Sequence, residues 1–138
     1  MTREGNSGDD VYFFGKNHGN DIINNFSDDV EQFDEIYFTH NPLDLVFKKS
    51  GKDMVIANIK TGDKVTVKNW YVGKIYRIDA INADGKRIET QEIEMLIQEM
   101  AKYSKNNKIS WNQAIYKKTK AVQDILKKYW KQVPSDQN

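Results

Sequence analysis

The chain has 138 residues, 38% of them hydrophobic and 30% charged, and its formal net charge is +1. That length is enough for one small domain or a compact sheet with a helical appendage. No apolar run approaches the ~20 residues that a transmembrane helix needs, and the absence of cysteine excludes disulfides, thiolate chemistry and zinc–thiolate sites. The segment MTREGNSGDD lacks the basic-then-apolar layout of a cleaved signal peptide, so we expect no export by that route.

The small net charge hides a strong charge asymmetry along the chain. Residues 1–47 carry ten acidic and two basic side chains, a net of −8, whereas residues 101–138 carry nine lysines and two aspartates, a net of +7. An acidic segment of this kind repels itself when compact and favours bound cations. The alternative is a pair of solvated patches that attract each other across the fold.

In the first region, from Gly5 to Phe38, short apolar runs alternate with turn-forming residues. Glycine and asparagine tolerate a positive φ, so their clusters indicate tight turns between very short strands. The predicted strands are Val11–Phe14, Ile22–Ile23 and Ile36–Phe38.

The second region, from Pro42 to Ile88, shows strand-like alternation of apolar and polar residues. We predict an antiparallel β-meander with one solvated face, which closes at the hairpin signal Asp84-Gly85. The apolar positions that define its strands are Leu43 to Phe47, Met54 to Ile56, Val65 to Val67, and Tyr76 to Ala80.

The third region is predicted to form two amphipathic α-helices. Thr90 is the expected N-cap of the first helix, in which Ile93, Leu96, Ile97 and Met100 follow helical spacing. A break is expected at residues 105–107. Ser110 and Gln113 form a capping box for a single lysine-rich helix over residues 111–131.

A repeated motif in the acidic region points to metal chemistry. Residues 5–13, GNSGDDVYF, fit the nonapeptide G-G-x-G-x-D-x-U-x with Asn6 in place of the second glycine, and residues 19–23 repeat its core. Calcium takes six to eight oxygen ligands in flexible geometry, which glycine-rich turns and aspartates supply. From the pattern alone, calcium turns and plain structural turns both remain open.

The run from Gly8 to Ile23 resembles the closing repeats of haemolysin-type RTX proteins, whose calcium-binding nonapeptide has this form. The stretches 43–56, 65–71 and 76–85 resemble the haemolysin-type calcium-binding-related domain, and Leu96–Ala101 resembles a terminal helix of large RTX proteins. The resemblance implies a mainly β fold with C-terminal helices, in which short parallel β-roll turns lead into the antiparallel β-meander. Its expected divisions are residues 1–40, 41–89 and 90–138.

The resemblance also implies a calcium site. Asp10 and Asp21 would be side-chain ligands of Ca²⁺, and Asp34 is a candidate for a further contact. The ligand-bearing turns would contain the residues Gly5, Asn6, Gly8 and Gly19. By the same resemblance we expect a secreted, extracellular protein whose partners are calcium ions, the type I secretion machinery and, as a candidate, the host-cell surface or membrane. No nucleic-acid partner is expected.

No catalytic site is expected, because His18 and His40 are the only histidines and neither has an evident nucleophile or second ligand nearby in sequence. Trp70 and Tyr71 are expected to pack the sheet against the first helix, with an exposed aromatic platform as the alternative. The lysine-rich helix is either a packed surface helix, part of a secretion signal, or a surface that binds membranes or nucleic acid. For the whole chain the alternatives are the tail of a larger RTX toxin, adhesin or secreted hydrolase, or a calcium-independent interaction domain.

Overall fold

The computed structural model describes residues 2–4, 10–25 and 33–133. Within these residues the chain forms two five-stranded mixed sheets and three α-helices. The strands are β1 Thr2–Glu4, β2 Val11–Phe14, β3 Asn20–Asn24, β4 Glu35–Phe38, β5 Leu45–Ser50, β6 Asp53–Asn58, β7 Lys64–Val67, β8 Ala80–Ala83, β9 Lys86–Glu89 and β10 Lys131–Gln132. The helices are α1 Thr90–Asn107, α2 Trp111–Lys117 and α3 Lys120–Tyr129, and two 3₁₀ turns cover Pro42–Asp44 and Lys74–Tyr76.

The first four strands alternate between the two sheets. The first sheet has the order β1-β3-β7-β6-β5 and the second has the order β10-β9-β8-β4-β2. Strands β1, β3 and β7 pair in parallel in one sheet, and strands β2, β4 and β8 pair in parallel in the other. The remaining pairs are antiparallel. In the part of the chain that the structure describes, the connections between the two sheets therefore lie at one of two ends of the strands.

The apolar periodicity explains which face of each short strand is buried. In β2 the side chains of Tyr12 and Phe14 are buried while Val11 and Phe13 are exposed. The same alternation places Ile23 of β3 in the core. Successive side chains of a strand point to opposite faces, so these sequence-predicted strands turn one face to the core between the sheets.

The predicted β-meander is only partly correct. Strands β5, β6 and β7 are antiparallel neighbours in one sheet, but β8 and β9 belong to the other sheet. The expected strand over Tyr76–Ala80 does not form, because Tyr76 is the last residue of a 3₁₀ turn and β8 begins only at Ala80. Alternation reports which side chains are buried and does not reveal which sheet a strand joins, so it could not detect this crossover.

The predicted second helix is two helices. Lys118 adopts a left-handed backbone conformation with φ of 49°, which ends α2. Thr119 then caps α3, because its side chain accepts a hydrogen bond from the backbone of Val122. Ser110 caps α2 as expected, whereas Thr90 is the first residue of α1 and Glu89 is its N-cap.

The helices share the core with the sheets. Leu96 of α1 and Leu126 of α3 are 0% and 1% exposed, and Trp130 stacks on Phe47 of β5 with ring centroids 6.0 Å apart. Within the part of the chain that the structure describes, no helix is long and apolar enough to cross a membrane.

Candidate functional site

The amino ends of the parallel strands in the second sheet carry a row of aspartates. One aspartate immediately precedes each of these strands: Asp10 precedes β2, Asp34 precedes β4 and Asp79 precedes β8. The strands pair with their first residues in register, Val11 opposite Glu35 and Glu35 opposite Ala80. The three aspartates therefore occupy equivalent positions on neighbouring strands, and we call Asp10, Asp34 and Asp79 the aspartate ladder.

Hydrogen bonds connect the members of the aspartate ladder. The backbone N–H of Asp10 donates to Asp34 Oδ1 at 2.8 Å, and the backbone N–H of Asp34 donates to Asp79 Oδ2 at 2.7 Å. Each acceptor carboxylate thus binds the backbone of the aspartate on the adjacent strand. Residues at the start of a strand have N–H groups that need a partner, which these side chains supply.

A side chain that follows β3 of the first sheet is hydrogen-bonded to the aspartate ladder. Asn25 follows β3, and its Nδ2 donates to Asp34 Oδ2 at 3.0 Å, while its Oδ1 accepts the hydroxyl of Tyr12 at 3.0 Å. Burial, and then the negative charges of Asp10 and Asp34, raise the pKa of Tyr12. The phenol therefore lies in the negative field of both carboxylates.

The aspartate ladder offers oxygen donors only. Among the described residues, however, the three ligand atoms that lie within 4.8 Å of one another belong to His18, His40 and Asp63 and not to the ladder. Asp34 is 1% exposed, so water screens its charge poorly. The oxygen-only donor set fits calcium.

A second cluster lies at the opposite end of the strands. One nitrogen each from His18 and His40 and a carboxylate oxygen of Asp63 all lie within 4.8 Å of one another, and we call these three residues the histidine cluster. His18 belongs to the turn between β2 and β3, His40 follows β4, and Asp63 precedes β7. The imidazole rings meet edge to face with centroids 5.5 Å apart.

Asp63 holds the turns of the histidine cluster together. Its Oδ1 accepts the backbone N–H of Gly19 at 3.0 Å, and its Oδ2 accepts the backbone N–H of Asn17 at 2.8 Å and the hydroxyl of Thr61 at 2.8 Å. Although burial acts in the opposite direction, these hydrogen bonds and one with His40 lower the pKa of the Asp63 carboxyl. Gly19 has a φ of +81°, which favours glycine at this turn.

The sequence-predicted ligands are divided between the two ends. Asp10 and Asp34 lie together in the aspartate ladder, whereas Asp21 lies in β3 beside His18, whose Nδ1 is 2.8 Å from its Oδ2. Burial opposes ionisation of Asp21, but the hydrogen bond with His18 contributes to a lowered pKa. Gly19 is the turn glycine described above. The proposed ligand-bearing residues Gly5, Asn6 and Gly8 lie outside the described residues.

The two aromatic residues singled out in the sequence do not form an exposed platform. Trp70 is 0% exposed, and its Nε1 donates to Glu94 of α1 at 3.2 Å. Tyr71 is half-buried against the core, with the Lys49 ammonium 4.8 Å from its ring centroid. Trp70 therefore connects the loop after β7 to the first helix.

Sequence reasoning missed Asp63 and Asp79 as site residues, and it found no second ligand for His18 or His40. The His18 side chain is only 9% exposed, and His40 is 2% exposed. One signal was available: an aspartate stands immediately before each of β2, β4, β7 and β8. The convergence of the two histidines had no local signal, because residues 18 and 40 meet only through the parallel pairing of the strands.

Comparison with known families adds one finding. Residues 53–88 match the model of the haemolysin-type calcium binding protein related domain. The match runs from the first residue of β6 to Ile88 in β9, and so includes Asp63 and Asp79. Over these residues the resemblance to the haemolysin-type calcium-binding-related domain is confirmed.

Proposed function

We propose that this chain is a non-catalytic calcium-binding module from the C-terminal region of an RTX-type secreted protein. The observation that carries the proposal is the winding of β1 to β4, in which consecutive strands alternate between two sheets and strands two apart pair in parallel. A β-roll built from glycine- and aspartate-rich repeats has this winding, and the repeat-like residues 5–13 lead directly into β2. The related domain at residues 53–88 supports calcium as the ligand.

The aspartate ladder is the proposed calcium end. Asp10 and Asp34 would supply carboxylate oxygens, and the glycine-rich turn at residues 5–9 is the source expected for carbonyl ligands. Calcium would relieve the repulsion between neighbouring carboxylates in the native state. Since the unfolded chain does not hold the aspartates together, binding would add to the stability of the fold.

Folding that depends on calcium is compatible with export of an unfolded chain. At low cytosolic calcium the carboxylates of the acidic segment repel one another, and outside the cell calcium neutralises them. The proposed localisation is extracellular, after passage through a type I secretion machine that reads the C-terminal helices. The module itself would perform no catalysis.

A second candidate is the same module acting as the tail of a larger RTX toxin, adhesin or secreted hydrolase. Strands β1 and β2 end the strand order of their sheets among the described strands. A preceding pair of repeats would extend both sheets by parallel pairing at these two strands. Phe13 of β2 is 66% exposed and stacks on Tyr37 of β4. A further strand beside β2 would extend this row of stacked rings.

Calcium-dependent stability is the decisive measurement. The full chain, stripped with a chelator, is melted in calcium, in magnesium and in chelator, with binding followed by isothermal titration calorimetry. At a calcium concentration 100 times Kd, a native-state ligand stabilises by about 2.7 kcal/mol. For a domain of this size that raises Tm by several degrees, at roughly 2–8 °C for each kcal/mol. An equal Tm in calcium and chelator would overturn the proposal.

Two matched substitutions locate the ion. Asp10→Asn keeps the backbone N–H that Asp34 binds but removes a ligand charge, so calcium affinity should fall at least tenfold. Asp84→Asn removes the same charge from the exposed turn between β8 and β9, where asparagine tolerates the φ of 48°, and should leave calcium affinity unchanged. Equal affinities in both variants would exclude the aspartate ladder as the site.

A further inference from the structure

We propose that His18, His40 and Asp63 form a second metal site, which binds a borderline transition metal ion of the zinc class. The proposal does not depend on calcium binding, because the histidine cluster lies at the opposite end of the strands from the aspartate ladder. Two imidazole nitrogens and one carboxylate oxygen are a common donor set for zinc. Calcium takes oxygen ligands and would not select this cluster.

The spacing of the donor atoms permits one ion to contact all three. Zinc–nitrogen and zinc–oxygen bonds of about 2.0–2.2 Å place tetrahedral ligand atoms roughly 3.3–3.5 Å apart. The donor atoms of the histidine cluster lie within 4.8 Å of one another, so they would have to approach by no more than about 1.5 Å to reach tetrahedral spacing. A water molecule would take the fourth position, as in three-ligand zinc sites.

His18 already has the outer partner that a metal-binding histidine requires. Its Nδ1 lies 2.8 Å from Asp21 Oδ2, and Asp21 is 4% exposed. Histidines that bind a metal usually donate their other ring N–H to a carboxylate, which fixes the tautomer and leaves Nε2 for the ion. The buried Asp21 is therefore a positioning residue for His18.

His40 supplies an independent observation that points to a ligand. The residue is 2% exposed, and its Nδ1 is buried without a hydrogen-bond partner among the described residues. Among the described residues its hydrogen-bond contact joins Nε2 to Asp63 Oδ2 and is 3.2 Å long, the longest of the four that the Asp63 carboxylate makes. An ion bound by Nε2 and Asp63 would replace this long contact and would hold the ring proton on Nδ1.

The electrostatics favour a divalent cation. An imidazole binds a metal in its neutral form, so the two carboxylates of Asp63 and Asp21 would neutralise a divalent ion inside the site. Asp63 keeps its backbone contacts to Asn17 and Gly19 when an ion replaces the long contact to His40. The ion would thereby connect the turn before β3, the loop after β4 and the turn before β7.

The test is metal binding by the full chain, stripped with a chelator. Cobalt(II) serves as the spectroscopic probe, since its visible absorption becomes much stronger and moves to longer wavelength when the octahedral aqueous ion enters a tetrahedral site. Zinc then competes for the same site, and calorimetry should show one zinc ion per chain. An unchanged cobalt spectrum together with no zinc heat would overturn the proposal.

Three variants assign the ligands. His18→Gln removes the ligand nitrogen at the less buried position and should weaken zinc binding at least tenfold. Asp21→Asn removes the positioning carboxylate and should weaken it by about 10–100-fold. Asp10→Asn, at the other end of the strands, should leave zinc affinity unchanged. The far-UV circular dichroism of each variant verifies folding.

These variants also separate the two metal proposals. If Asp10→Asn loses calcium binding and keeps zinc binding, the result supports both sites. If Asp21→Asn loses zinc binding and keeps calcium binding, it also supports both. If His18→Gln and Asp21→Asn are folded and bind zinc as tightly as the unaltered chain, the histidine cluster is not the zinc site, whatever the calcium result.

Discussion

At the scale of single residues, carboxylates that bind the backbone of an adjacent turn are the repeated feature of this molecule. Asp34 accepts the backbone of Asp10, Asp79 accepts the backbone of Asp34, and Asp63 accepts the backbone of Asn17 and Gly19. A charged acceptor strengthens such hydrogen bonds. The same residues that offer oxygens to a cation therefore also fix the turns, and each substitution must be interpreted with both roles in mind.

Asp63 makes a pH prediction possible. Its hydrogen bonds hold its folded-state pKa below the ordinary value of 3.8, so as the pH falls toward and below that value the unfolded state binds more protons than the folded state. The free energy of unfolding then falls with pH. The contribution of Asp63 is complete above its unfolded-state pKa and is lost as the pH falls toward its lower folded-state pKa.

Urea unfolding in chelator at pH values from about 5 to about 3 measures this effect. In Asp63→Asn the free energy of unfolding should be lower at pH 5 and should depend less steeply on pH than in the unaltered chain. Asp84→Asn removes an equal charge from an exposed turn and serves as the control, with the original slope expected. Parallel pH curves for the unaltered chain and Asp63→Asn would contradict the assignment.

The sequence identified some of these residues and not others for a physical reason. Asp10 and Asp21 belong to a local repeat that can be recognised within a few residues. Asp79 and His40 acquire their roles only when β8 and β4 pair in parallel with strands far away in the chain. Local spacing carries no information about such contacts, so the composition of either site could not be predicted in full.

At the scale of secondary-structure elements, the junction between α2 and α3 depends on one partly buried ion pair. Lys118 Nζ lies 2.6 Å from Asp44 Oδ1, and the side chains are 28% and 8% exposed. This contact ties the helices to the 3₁₀ turn before β5. The ionised Asp44 is poorly solvated, so its cationic partner should matter for stability.

Replacing Lys118 with methionine should therefore destabilise the protein. Lys118→Met keeps an unbranched side chain at the left-handed position but removes the donor to Asp44, and we expect a loss of about 1.5–3 kcal/mol in the free energy of unfolding. Lys120→Met is the matched control. Lys120 is 90% exposed in its ion pair with Asp124, so its change should stay within about 0.5 kcal/mol. Equal losses in urea unfolding would show that Asp44 does not need its partner.

The elements themselves were predicted with uneven success. Short strands such as β2 and β4 were located from apolar alternation, and the cap at Ser110 was read correctly. The break at Lys118 was not, because a lysine in a left-handed conformation has no sequence signature comparable to a glycine. The alternation of Tyr76, Ile78 and Ala80 with polar residues predicts a strand, but Tyr76 ends a 3₁₀ turn and β8 begins only at Ala80.

At the scale of the whole molecule, the acidic and the lysine-rich segments of the sequence do not pair with each other through one extended interface. Within the described residues, Lys118 reaches Asp44 in the acidic half, but Lys128 and Lys131 pair with Glu99 and Glu92 of α1. The basic helices are thus held mainly by α1 and by the apolar core. This arrangement predicts that the helices fold together with the sheets.

The three tryptophans provide a test of that cooperativity. Trp70, Trp111 and Trp130 are 0%, 6% and 4% exposed, and they report on the core shared by helices and sheets. Their fluorescence and the helical far-UV circular dichroism should change at the same denaturant concentration, as a two-state transition requires. Leu126→Ala removes a buried side chain of α3 and should lower the free energy of unfolding by about 2–5 kcal/mol by both probes.

Met95→Ala is the control for that substitution, since Met95 of α1 is 52% exposed and its loss should cost no more than about 0.5 kcal/mol. If Leu126→Ala shifts only the helical signal to lower denaturant while the Trp70 environment unfolds where it did before, the helices are a separate folding unit. A C-terminal segment that opens alone would suit recognition during export. A coincident shift means instead that helices and sheets are one folding unit, in which case the proposed secretion machinery would have to act before the core closes.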